Sequence, residues 1–164
     1  MDQGQVLSSL AQMIDGVLPG CRRYAPVVGH SGGIAIAVPG GGQVVVSGFQ
    51  VGVLITAGLA RDVPNMTGAI SWVNSRNSDF AFGRFYASLP ADGALRANVV
   101  WQDVIPWFLL EQFPALVDAY APQMIKLGTD IAGNEAGGVL QEVGGLPFND
   151  DDADRSLPVA AVMG

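Results

Sequence analysis

The chain is expected to fold as an α+β domain with the element order α-β-β-β-α-β-β-α, an antiparallel sheet packed against helices. Three observations predict it. An amphipathic helical stripe opens the sequence, glycine-punctuated β-branched runs follow, and a second helix leads through an aromatic hairpin into a long helical region. At 164 residues the length suits one domain, and a chain of this size buries enough surface to hold a core without disulfides.

Each element has its own signal. Val6, Leu7, Leu10, Met13, Ile14, Val17 and Leu18 recur at three- and four-residue spacing, which predicts a helix over 4–18 stopped by Pro19-Gly20. From Tyr24 to Ala60 the composition shifts to strands. Ile34 to Val38 is the first, Pro39-Gly40-Gly41-Gly42 a turn, and Val44 to Phe49 the second. Val51 to Thr56 is the third, set off near Gly48. Asp62-Val63-Pro64 is expected to open a helix that runs to about Asn77, because proline fits a first helical turn, where its missing N–H costs nothing.

Phe80, Phe82 and Phe85-Tyr86 then mark a strand over 80–89, and Pro90-Ala91-Asp92-Gly93 carries a hairpin signal. Leu95, Ala97, Val99 and Trp101 alternate with their neighbours as a half-buried strand does. Residues 104–132 are helical in pattern but punctuated by Pro106, Pro114 and Pro122, so two or three pieces are expected in place of one rod. After Gly133 two Gly-Gly pairs and the acidic run Asn149 to Asp152 predict a flexible acidic tail over 134–164, appended to a domain over 1–133.

Composition narrows the function classes. Formal net charge is −7, the one lysine is Lys126, and Arg22-Arg23 is the only adjacent basic pair. Nucleic acid demands clustered positive charge, so no nucleic-acid partner is expected. No apolar run approaches the ~20 residues needed to span a bilayer, and the start of the chain lacks the basic and apolar regions of a signal peptide. No membrane partner is therefore expected, and the cytoplasm is the default compartment. Charged residues make up only 14% of the chain, against a usual ~25%, which leaves apolar surface for a partner.

Chemical motifs are sparse. Gly29-His30-Ser31-Gly32-Gly33 matches the nucleophile-elbow letters G-x-S-x-G, but a strand follows where that motif needs a helix. The only histidine, His30, adjoins the serine in sequence and is badly placed to be its base. Cys21 stands alone and supports neither a disulfide nor a cysteine metal site. Asp150 to Asp154 lacks the glycine and terminal glutamate of a calcium loop. The expectation is a protein without catalytic residues, metal or cofactor. The aromatic residues have two readings. Most belong in the core, while Trp101, Trp107, Phe108 and Tyr120 are candidates for a partner-binding surface, Tyr and Trp being enriched at interfaces. An alternative places Trp101, Trp107 and Tyr120 around a small-molecule pocket.

The stretch from Trp72-Val73-Asn74 through Asn77, followed by Phe82-Gly83-Arg84-Phe85-Tyr86, resembles the YbjN family, in which a V-N-x-x-N helix end leads into an F-G-R-F strand. YbjN proteins are in turn similar to the type III secretion chaperones, whose element order is the one expected here. The resemblance implies structural roles for Asn74, Asn77, Phe82, Gly83, Arg84 and Phe85. It also implies a homodimer that binds extended or helical segments of a client protein, keeping the client soluble or secretion-competent without cofactor or catalysis.

Overall fold

The computed structural model describes residues 12, 23–24, 33–38, 42–49, 52–89 and 95–148. Of the expected first helix only Gln12 is described, and it is helical and exposed. Cys21, His30, Ser31, the expected hairpin signal Pro90 to Gly93 and the run Asp150 to Asp154 lie outside the described residues.

The fold is α+β. Six antiparallel strands are β1 (Arg23–Tyr24), β2 (Gly33–Val38), β3 (Gly42–Phe49), β4 (Gly52–Val63), β5 (Arg84–Ser88) and β6 (Ala97–Pro106). They lie in the order β1-β2-β3-β4-β6-β5, so that β5 forms one edge of the sheet. Between β4 and β5 comes helix α1 (Met66–Asp79), and after β6 come α2 (Trp107–Gln112) and α3 (Pro114–Val143). Tight registers connect the meander: Val45 faces Thr56 across β3–β4, and Thr56 faces Gln102 across β4–β6. One face of the sheet carries Val44, Val46, Val53, Ile55, Ala57, Val99, Trp101 and Ile105, which form a continuous core with Ala69 and Trp72 of α1 and with Ala121, Ile125, Ile131 and Val139 of α3.

Several boundaries differ from the sequence expectations. The third strand is twelve residues long and takes in Asp62-Val63, which were expected in the helix. Two register shifts let Ala60 and Val63 pair with Val99 and Ala97, and Asp62 takes a φ of 55° at this irregularity. Its N–H donates to Asn98 Oδ1 at 3.1 Å. The helix begins one turn later, capped by Asn65, whose Oδ1 accepts from the Gly68 N–H at 2.9 Å. The strand expected over 80–89 shortens to β5, because residues 80–83 form the bend that delivers the chain to it.

The helical region expected from residue 104 begins only at Trp107, because residues 104–106 complete β6 through their pairing with β4; Pro114 then opens α3, and the pieces are two. Pro122 sits inside α3 without ending it.

The largest correction concerns residues 134–148. The segment expected to be tail continues α3 to Val143, with Ala132, Ala136 and Val139 buried against the sheet. Gly144 closes the helix at a φ of 74°. Leu146 then pairs with Arg61 of β4 by two backbone hydrogen bonds of 2.8 Å, and Phe148 is buried. Burial of this helical stripe outweighs the ~1 kcal/mol that each of Gly137 and Gly138 costs inside a helix.

Candidate functional site

The residues of the V-N-x-x-N and F-G-R-F pattern come together at the junction of α1, β5 and β6. Asn77, in the last turn of α1, points its carboxamide at the backbone of Phe85. Its Oδ1 accepts from the Phe85 N–H at 2.7 Å, and its Nδ2 donates to the Phe85 carbonyl at 3.0 Å. A side chain thus supplies the acceptor and donor that a neighbouring strand would offer. Phe85 is buried and meets Trp72 and Phe80 edge-to-face, at ring-centroid distances of 5.5 and 4.9 Å.

Gly83 is required twice. Its φ is +64°, and a Cβ there would fall 2.5 Å from the Trp101 ring. That close approach lets the Trp101 indole N–H donate to the Phe82 carbonyl at 3.1 Å. Arg84 donates to the Gly83 carbonyl at 2.7 Å and projects into solvent. Asn74 is exposed, and its carbonyl accepts from the Ser78 hydroxyl. Asn77, Gly83 and Phe85 therefore build a rigid corner, while Phe82 and Arg84 display their side chains at its surface.

The residues expected to bind a partner do not share one surface. Trp101 is 0% exposed and belongs to the core, opposite Phe85 in the β5–β6 register. It is removed from the partner-binding set. The reason is register: an alternating strand pattern tells which residues share a face and not which face is closed. Trp107 is half-buried against the core. Tyr120 is also half-buried, and its hydroxyl donates to Asp103 Oδ2 at 2.7 Å, latching α3 to β6. Burial first, and then the Asp103 carboxylate, push the Tyr120 phenol well above its ordinary range. Phe108 alone of the four is well exposed, at 57%, with Phe113 nearby in sequence.

Sequence reasoning did not pick out the concave surface that lies beside the corner. Ile70, Val73, Asn74 and Asn77 of α1 face Arg84, Phe85, Tyr86 and Ala87 of β5 across an open groove of ≈ 320 Å³. Ile70 is 51% exposed and Tyr86 40%, and the chain next to β5 adds the exposed Leu89. The available signal was the edge position of β5, which becomes visible only when β6 inserts between β4 and β5. A second cleft of ≈ 360 Å³ lies between α1 and the end of α3. It is lined by Ser71, Trp72, Ser75, Arg76 and Glu142, among others, and Arg76 pairs nearby with Glu135 at 2.9 Å.

Among the described residues no three His, Cys, Asp or Glu side chains gather as metal ligands, and no helix is long and apolar enough to cross a membrane.

No family model matches the chain, and no curated protein matches it in sequence. Among solved structures it is similar to the crystal structure of YbjN from E. coli, at 12% identity and a TM-score of 0.46, over 79% of this chain and 93% of that one. This is a distant likeness of fold.

Proposed function

We propose that this protein is a non-catalytic binding module that holds an extended segment of a client protein in the groove between α1 and β5, keeping the client soluble or secretion-competent. The observation that carries the reading is the groove itself: an edge strand flanked by exposed apolar side chains. An edge strand offers unpaired backbone N–H and C=O groups, and natural proteins usually blunt such edges. Here the flanking residues are Ile70, Tyr86 and Leu89, all exposed.

The client is a segment of extended backbone with two features. An apolar side chain would cover Ile70 and Val73, and a carboxylate would meet Arg84. Arg84 lines the groove and donates to the carbonyl of its own neighbour Gly83, in a chain where 15 acidic residues outnumber 8 basic ones. A charged partner for Arg84 would add charge-assisted hydrogen bonds at the rim. Of the residues expected to bind a partner, Phe108 extends the exposed apolar surface elsewhere on the fold and suits contact between two copies in a homodimer, which light scattering would measure.

Replacing Ile70 by Asp tests the groove. A pool of capped heptapeptides alternating Val or Ile with Asp or Thr is titrated into isotope-labelled protein. The wild type is expected to show shifts at α1 and β5, and the variant to lose at least tenfold in affinity with an unchanged circular dichroism spectrum. Shifts confined to other elements would refute the groove, and an absence of binding by any peptide in the pool would refute the reading.

A further inference from the structure

We infer that Asn77 sets the register of the bound segment by occupying one strand position on the β5 edge. This rests on the peptide-binding reading above. Along an edge strand, alternate residues turn both backbone polar groups outward. The bonds from Asn77 identify Phe85 as one of these residues, so Ala87 is the next. Phe85 is closed by the Asn77 carboxamide, whose distances of 2.7 and 3.0 Å are those of a regular strand pair. No side chain among the described residues does the same for Ala87.

The position of Asn77 is fixed from both sides. It is carried by the final helical turns of α1, which are anchored where Trp72 meets Phe85 edge-to-face at 5.5 Å. A client strand entering the groove therefore pairs at Ala87 and ends at Phe85, where the carboxamide already fills the next place. The side chain is a stand-in for client backbone. It both protects the edge in the free protein and limits how far a client extends along it.

The test compares Asn77→Ala with the wild type, using the same heptapeptide pool and amide hydrogen exchange read residue by residue. In the free variant the Phe85 amide is expected to exchange faster than in the wild type. With peptide bound, the wild type is expected to gain protection at Ala87 alone, and the variant at both Ala87 and Phe85. Its affinity should rise about three- to tenfold, the value of one or two additional backbone hydrogen bonds. Should Asn77→Ala fail to fold, Asn77→Asp keeps the acceptor for the Phe85 N–H and removes the donor, and a smaller gain is expected.

Equal affinity in variant and wild type, with the Phe85 amide gaining no protection on peptide binding in either, would overturn the inference while leaving peptide binding intact. If the pool bound neither protein, the binding reading would fall and the inference with it.

Discussion

The two faces of the central sheet are both closed to solvent, yet they are built from different chemistry. The face toward α1 and α3 is apolar throughout its centre, with Val44, Val46, Ile55, Val99 and Trp101 in one core with the helices. By alternation, the opposite face carries Val45, Leu54 and Val100 together with Gln43, Ser47, Thr56 and Gln102, and all seven are buried. There Gln102 Nε2 donates to Thr56 Oγ1 at 3.3 Å, whereas Gln43 Oε1 and Ser47 Oγ have no hydrogen-bond partner among the described residues.

The difference shows how register is specified in strands buried on both sides. Runs such as Val44-Val45-Val46 and Val53-Leu54-Ile55 look the same after a slip of one residue. Slipping β3 or β4 by one would turn Gln43, Ser47 and Thr56 into the apolar core, at the cost of burying each polar group there. The polar face names the register, and the apolar face supplies the stability. A buried polar atom without a partner costs about 1–3 kcal/mol, so this specification is achieved against stability.

The largest expected effect lies on the apolar face. Gly83→Ala drives a methyl into the Trp101 ring and places alanine at a φ of +64°. Overpacking costs about 1–3 kcal/mol and the left-handed backbone about 1–2, so a loss of roughly 2–4 kcal/mol is expected in a urea titration. A loss below 0.5 kcal/mol would mean that the corner yields easily, and that the F-G-R-F pattern does not hold Trp101 in place.

That corner also shows what was legible in advance. The α+β class, the β2–β3–β4 meander, the β5–β6 hairpin and the division of the last helical region at Pro114 follow from local period and turn chemistry. The path of residues 60–63 does not. Asp62-Val63-Pro64 has the letters of a helix start, but pairing with residues 97–99 keeps the chain in β4, and that pairing is a long-range property. In residues 134–143 the glycines mask a helix, although Ala132, Ala136, Val139, Leu140 and Val143 repeat at helical spacing.

At the candidate site, the Asn77 carboxamide meets the Phe85 backbone and Gly83 lies against the Trp101 ring. The surface role expected of Trp101 fails because burial depends on which strand lies opposite. Nothing local to β5 states that it is an edge, so the groove was not legible at all.

An intermediate effect is expected where the helix-side packing admits a polar pair. Tyr120→Phe removes the hydroxyl that donates to Asp103 at 2.7 Å. A half-buried hydrogen bond to a carboxylate is worth about 1–2 kcal/mol, measured as a shift in urea midpoint near pH 7. The phenol also makes the pair sensitive to alkali. Its folded pKa is raised above the ordinary value of 10.0, so folding favours the protonated form. The stabilisation is complete below that ordinary value and is lost as pH rises from there toward the raised folded value. Above pH ~10 the wild type should lose stability more steeply than Tyr120→Phe, and parallel profiles would show that the latch does not titrate with the fold.

The smallest effect has the opposite sign and tests the polar face directly. Ser47 is buried, and its hydroxyl finds no acceptor or donor among the described residues, so Ser47→Ala is expected to remove a desolvated group without breaking a bond. Alanine has less β propensity than the residues around it, which offsets a few tenths of a kcal/mol of the gain. A net stabilisation of about 0.5–1 kcal/mol is expected, or roughly 1–4 °C in melting temperature for a chain of this size. Gln43, Thr56 and Gln102 still mark the face, so the register survives and the amide spectrum should change only near residue 47. A destabilisation of 1 kcal/mol or more would mean that Ser47 is bonded in solution, and that the polar face is a satisfied network after all. The contrast between the two faces would then be one of composition alone, with no stability spent on naming the register.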